Sequence, residues 1–142
     1  MTTAVADALD RLRRQDVAVP EPGQTLSIAE TAERTGVSAH TLRYYERIGL
    51  LAVARDAAGY RRYTAADFAR VVFLTRLRMT GMPIRELCRY VELVGQGQHT
   101  EPERLEMLLA HRAKVLAQLA ELQFALQTVD FKIAVYGGSC TP

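Results

Sequence analysis

The chain has 142 residues, 49% of them hydrophobic and 24% charged, the balance of one globular domain or a small domain with an appendage rather than of a disordered or membrane-embedded chain. No apolar run approaches spanning length and the N-terminus lacks the apolar stretch of a secretory signal, so the expected location is cytoplasmic, with no membrane partner. The formal net charge of +2 hides an uneven distribution: residues 1–25 carry 3 Arg against 4 acids, residues 26–80 carry 9 Arg against 5, and residues 81–142 carry 6 Lys+Arg against 7.

Residues 1–25 form an N-terminal extension that ends in the helix-stopping Pro20-Glu21-Pro22-Gly23; Val5, Ala8, Leu9 and Leu12 either line one face of a short helix or belong to a frayed segment. A capping box, Ser27 with Glu30, opens the next helix, and Gly36 offers the left-handed turn that ends it before a second cap candidate, Ser38. The helix from about 39 to 47 then buries Leu42, Tyr45 and Ile48 on one face. His40, Thr41, Arg43, Tyr44 and Arg47 are left on the others. After Gly49 a short hairpin fits, with residues 56–59 as its tip and Arg55, Arg61 and Arg62 nearby. Helix, tight turn, helix and basic hairpin make up a winged helix-turn-helix, the layout that places one helix in a DNA groove.

Thr64 and Asp67 cap a third helix whose stripe of Phe68, Val71, Val72, Leu74 and Leu77 faces the core. Gly81 closes it, Pro83 is expected as the first residue of a fourth helix, and Gly95 as its end. Thr100 and Glu103 spell a further capping box, and after Pro102 no Gly or Pro interrupts the chain before Gly137. One long helix of roughly 54 Å over residues 101–136 follows at 1.5 Å per residue. Leu108, Arg112, Val115, Leu119, Leu122, Leu126, Val129 and Ile133 are spaced alternately four and three apart, a heptad seam with one polar interruption. A seam on a helix that outruns its own domain calls for a second copy of the chain; an amphipathic helix folded onto its own core is the plainer alternative. The expected divisions are an extension (1–25), a DNA-binding domain (26–95), a dimerisation helix (96–136) and a tail (137–142).

The candidate DNA contacts are Ser27, Ser38, His40, Thr41, Arg43 and Tyr44 around the two helices, with Arg55, Tyr60, Arg61, Arg62 and Tyr63 from the hairpin. Thr41, Arg43 and Tyr44 are donors and rings suited to a groove, and the hairpin arginines with Tyr60 to clamping phosphates. Against this stands a solvated basic face with no partner. An enzyme would need a nucleophile with a base or a metal cluster, and His40, His99 and His111 are scattered, with no nucleophile or ligand at a useful sequence spacing, so no catalytic residue is expected. A coiled-coil interaction protein that never meets DNA accounts for the long helix and leaves the arginines idle. Cys88 and Cys140 fit no zinc or redox spacing. Cys88, four residues after Ile84, reads as a small core residue, and Cys140, in a Gly-rich tail, as the exposed thiol more open to reaction. No metal or cofactor is expected.

Leu42-Arg43-Tyr44-Tyr45-Glu46-Arg47-Ile48-Gly49-Leu50-Leu51, followed by Gly59-Tyr60-Arg61-Arg62-Tyr63, resembles the signature of the MerR family of transcriptional regulators, and the likeness runs on through Gly81-Met82-Pro83-Ile84 to about residue 136. The resemblance implies a mainly α fold, a winged helix-turn-helix DNA-binding domain followed by a long antiparallel coiled-coil dimerisation helix. It implies a homodimer on double-stranded promoter DNA at a palindromic site, with RNA polymerase as partner and a signal that leads the dimer to bend and untwist the promoter spacer. Metal-sensing relatives carry paired thiols or comparable ligands in the loop after the long helix, where this chain has Cys140 alone, with His99 as a conceivable companion across a dimer. Aldehyde-responsive members are similar at Phe131-Lys132-Ile133-Ala134 and Tyr136 but carry a cysteine that has no counterpart here. Tyr90, Phe124, Phe131 and Tyr136 read either as an organic-ligand pocket or as core. The signal is left open.

Overall fold

A serine and a glutamate three residues on fix the start of the regular structure. Ser27 Oγ accepts from the Glu30 amide at 3.1 Å while the Glu30 carboxylate accepts from the Ser27 amide at 3.1 Å, which satisfies two of the donors a helix start leaves unpaired. The computed structural model describes residues 17–140; the helix considered at Val5 to Leu12 lies outside them. From that cap run α1 (Ile28–Thr35) and α2 (Ala39–Arg47), then β1 (Ala54–Arg55), β2 (Arg61–Arg62), α3 (Ala65–Met79), α4 (Ile84–Gln96), a 3-10 turn (Gln98–Thr100) and α5 (Glu101–Val135). The described chain is mainly helical, as expected. Its contacts divide it into two compact units between Glu92 and Leu93, inside α4.

In the first unit, Gly36 takes φ 74° and ends α1, its amide reaching Ala32 O at 2.9 Å. Ser38 then caps α2 by accepting from the Thr41 amide. Leu42 and Tyr45 are buried on one face of α2 and Ile48 half-buried at its end, as the spacing predicts. β1 and β2 pair antiparallel with Ala54 opposite Arg62 and Arg55 opposite Arg61, and Gly59 at φ 87° turns the tip. A backbone bridge between Leu26 and Tyr63, at 2.9 and 2.8 Å, ties the hairpin to the strand of chain entering α1. The Thr64 and Asp67 box opens α3, and Phe68, Val71, Val72 and Leu74 are buried in one cluster with Leu26, Leu42, Leu50 and Met82. This cluster fixes α2 and the hairpin relative to each other.

Two boundaries differ from expectation. Pro83 stands just before α4 rather than inside it, its carbonyl accepting from Leu87 at 3.1 Å, so the ring needs no donor where none is used. Gly95 lies within α4, and the break comes at Gly97, whose φ of 115° a side chain would resist.

In the second unit the expected box of Thr100 and Glu103 is absent. Thr100 has helical backbone angles, and its buried hydroxyl faces back to the Leu93 and Gly97 carbonyls, both at 2.7 Å, while accepting from Arg104 Nε at 3.0 Å. The 3-10 turn removes the extended geometry a cap requires. α5 then runs 35 residues, about 52 Å. Along it Leu108 and Val115 are half-buried, and Arg112, Leu119, Leu122, Leu126, Val129 and Ile133 exposed. Gly137 at φ 79° turns the tail back so that the Gly138 amide reaches Ile133 O at 2.9 Å.

Candidate nucleic-acid interface

The interface is built on the two capped helices and the hairpin of the first unit. Because Leu42 and Tyr45 turn inward, Arg43 turns outward from the middle of α2, exposed. The hairpin twists Arg55, Tyr60, Arg61 and Arg62 toward the same side. Together with Ser27 and Ile28 at the start of α1 and Asp56 and Gly59 at the hairpin tip, these residues line one cleft of about 350 Å³. Four guanidiniums around a single depression form a surface for anions.

Internal bonds set the geometry of those arginines. Glu46 on α2 accepts from Arg61 Nε at 2.5 Å through Oε2, and its Oε1 lies 3.8 Å from an Arg55 terminal nitrogen. Arg62 donates to the Thr25 hydroxyl at 3.1 Å and the Thr25 carbonyl at 3.3 Å, and Arg55 to Gly59 O at 2.8 Å. Asp56, the acid in the cleft wall, spends one carboxylate oxygen on the Ala58 and Tyr60 amides. Arg43 has no such tether among the described residues.

Of the residues predicted from sequence, Ser27, Arg43, Arg55, Tyr60, Arg61 and Arg62 come together in the cleft. Ser38, His40, Thr41 and Tyr44 lie elsewhere on α2 and its cap. There the Ser38 hydroxyl donates to that of Thr41 at 2.9 Å, and Arg47 lies over the Tyr44 ring, 5.6 Å from its centroid. Tyr63 does not belong to the surface: it is fully buried in the core cluster, a correction to its assignment as a DNA contact. Tyr63 follows β2 directly, and its backbone bridge to Leu26 sets the ring among the buried residues of the core. Burial above all, aided by the Glu46 charge and opposed by that of Arg61, raises the Tyr63 hydroxyl above its ordinary range, and the buried oxygen has no hydrogen-bond partner among the described residues. Glu30 moves the other way, held below the usual carboxylate range chiefly by its bond to the Ser27 backbone.

Sequence reasoning missed Glu46 and Thr25 as organisers of the arginines. An acid three residues after Arg43 on a basic helix was the available signal for Glu46; nothing in sequence pairs Thr25 with Arg62.

The cysteines stand apart from the cleft. Cys88 is half-buried against the core, its Sγ 4.0 Å from Ile48 O. Cys140 is exposed, with Sγ 3.5 Å from Asp130 O, and its thiol is pushed up by desolvation first and by Asp130 second, so exposure comes without an activated thiolate. Tyr90 packs on Phe73 at 5.7 Å, while Phe124, Phe131 and Tyr136 are exposed. Among the described residues no three His, Cys, Asp or Glu side chains cluster as a metal site, and no helix is long and apolar enough to cross a membrane.

A family model described as MerR HTH family regulatory protein matches residues 26–93, and one described as MerR, DNA binding matches residues 68–130. An uncharacterized HTH-type transcriptional regulator of Haemophilus influenzae is 38% identical over 113 residues, which cover 79% of this chain and 84% of that protein. The HTH-type transcriptional regulator AdhR of Bacillus subtilis is 35% identical over 92 residues, 64% of this chain and 66% of its own. Among solved structures, HiNmlR, a MerR family regulator lacking the sensor domain and bound to promoter DNA, superposes with a TM-score of 0.76 at 37% identity over 80% of this chain and 87% of that one. A MerR-type protein from Listeria monocytogenes superposes with a TM-score of 0.74 at 39% identity, covering 79% and 86%. With the helix-turn-helix, the wing and the long helix in place and these relatives matched over most of their lengths, the chain belongs to the MerR family of helix-turn-helix regulatory proteins.

Proposed function

We propose that the protein is a homodimeric transcriptional regulator in which each winged helix-turn-helix binds one half of a palindromic promoter site. α2 enters the groove with Arg43, Thr41 and Tyr44, and Arg55, Tyr60, Arg61 and Arg62 clamp phosphates from the wing, with Ser27, Ser38 and His40 at the margins. Residues 26–95 read the duplex, and α5 pairs with an antiparallel twin through Leu108, Val115, Leu119, Leu122, Leu126, Val129 and Ile133. Two heads held at a fixed separation bend and untwist the spacer for RNA polymerase in response to a signal; bending a site of this size costs about 1–6 kcal/mol, which added phosphate contacts offset. The carrying observation is the single cleft shared by Arg43 and the wing arginines. The promoter DNA held by HiNmlR supports the reading.

The test is a gel-shift titration of the full chain against its own upstream region and a scrambled duplex at two salt concentrations. A salt-sensitive complex that prefers the upstream region is expected, as is a loss of about 1–3 kcal/mol with Arg43→Ala while the oligomeric state holds. A coiled-coil adaptor gives no such complex, and an unchanged affinity removes Arg43 from the contact.

A further inference from the structure

Among the five acids of residues 26–80, Glu46 alone spends both carboxylate oxygens on arginines. Glu30 and Asp67 cap helices and Asp56 holds hairpin amides, while among the described residues no hydrogen bond or ion pair engages Glu33. The Glu46–Arg61 contact joins α2 to the wing across 15 residues of chain, the two elements that must meet one duplex together. Side-chain exposures of 24% for Glu46 and 22% for Arg61 shield the pair from full solvent screening. Arg61 is gripped at Nε, so the outer edge of its guanidinium keeps the two terminal nitrogens for a phosphate, in a plane the carboxylate fixes.

The same carboxylate subtracts one charge from the cluster of Arg43, Arg55, Arg61 and Arg62. Sequence-independent attraction grows with every arginine free to displace counterions, so a negative group placed here weakens loose binding while it fixes the geometry of correct binding. The wing does not need Glu46 to fold. The Leu26 and Tyr63 backbone bridge, the buried Tyr63 ring and the Arg62 bonds to Thr25 anchor it independently.

We propose that Glu46 is a positioning residue that sets DNA discrimination, holding Arg61 and Arg55 in register with Arg43 and restraining non-specific binding. The inference rests on the DNA-binding reading above. Its test measures affinity of the full-length wild type, Glu46→Gln and Glu46→Ala for a duplex from the upstream region and for a scrambled duplex, across a salt series. Both variants are expected to bind the scrambled duplex more tightly, with a salt slope steeper by about 1–2 as arginines are freed, while the ratio of specific to scrambled affinity falls about tenfold. Adding Arg61→Gln to Glu46→Gln is expected to return scrambled binding toward the wild-type level, which a general loss of folding would not do. Thermal melts identify any variant that fails to fold, and the near-isosteric Glu46→Gln then carries the comparison. Equal weakening on both duplexes, or an unchanged ratio, overturns the role of Glu46. A wild type with no salt-sensitive complex overturns instead the reading on which it rests.

Discussion

Leu122 supplies the most quantitative handle on the proposed dimer. In the single chain it is 68% exposed on α5, so about two-thirds of its burial energy is unspent. Full burial of a leucine contributes about 1.5–3 kcal/mol, which leaves about 1–2 kcal/mol for a partner to recover. A two-fold interface repeats each side chain, and the term doubles to about 2–4 kcal/mol. Leu122→Ala forfeits most of it, weakening the dimer by a factor of about 30 to several hundred at 1.4 kcal/mol per tenfold. Leu122→Glu goes further by burying a carboxylate. The assay is sedimentation equilibrium over a dilution series, with circular dichroism as control, because alanine is the better helix former and an exposed leucine has little to lose within its own chain. An unchanged dissociation constant in Leu122→Ala, or a wild type that is monomeric at every concentration, refutes the seam.

Two further predictions concern the cap of α1 and the pH range of the fold. Ser27→Ala should cost about 1 kcal/mol in thermal or urea unfolding at neutral pH, and no measurable loss would show that the box contributes nothing. Because Glu30 is lowered in the folded state, its contribution is fully present above its unfolded value and fades as pH falls through the folded one, so the cost of Ser27→Ala should shrink in acid. At the alkaline end Tyr45 and Tyr63 are both raised by burial, so the unfolded chain sheds protons first. Stability should fall as pH climbs past their ordinary value of 10.0, and a flat profile there would count against the buried hydroxyls.

What the sequence showed and what it hid follow the range of the forces involved. The caps at Ser27, Ser38 and Thr64, the turn at Gly36 and the hairpin tip at Gly59 are local chemistry within four residues, and each stands where its residues indicated. Arg43 was legible because periodicity separates it from Leu42 and Tyr45. Thr100 misled because a short-range pattern was overridden: its hydroxyl is drawn back to Leu93 by the 3-10 turn. Tyr63 misled because a motif rich in Arg and Tyr suggests contact at every position, whereas the bridge to Leu26, 37 residues away in sequence, sets this ring in the core. Glu46 and Thr25 act across 15 and 37 residues, distances at which spacing carries no information without the fold.

The orientation of the proposed pairing follows from the one polar member of the seam. Positions 108, 112, 115, 119, 122, 126, 129 and 133 are symmetric about a point midway between 119 and 122, so an antiparallel twin would set Leu108 against Ile133, Val115 against Leu126 and Leu119 against Leu122. Arg112 would then face Val129, lying its stem along an apolar neighbour with its charge free at the edge. A parallel twin would instead set Arg112 against Arg112, two like charges in the middle of an apolar seam, an arrangement that costs more than either alone. The difference is measurable in the same dilution series. Val115 and Leu126 stand 11 residues apart on one helix, about 16 Å, too far to couple within a chain, so Val115→Ala and Leu126→Ala should be non-additive in dimer dissociation only where the chains run in opposite directions. Strict additivity of the pair would leave the parallel arrangement, with its facing arginines, as the one to explain.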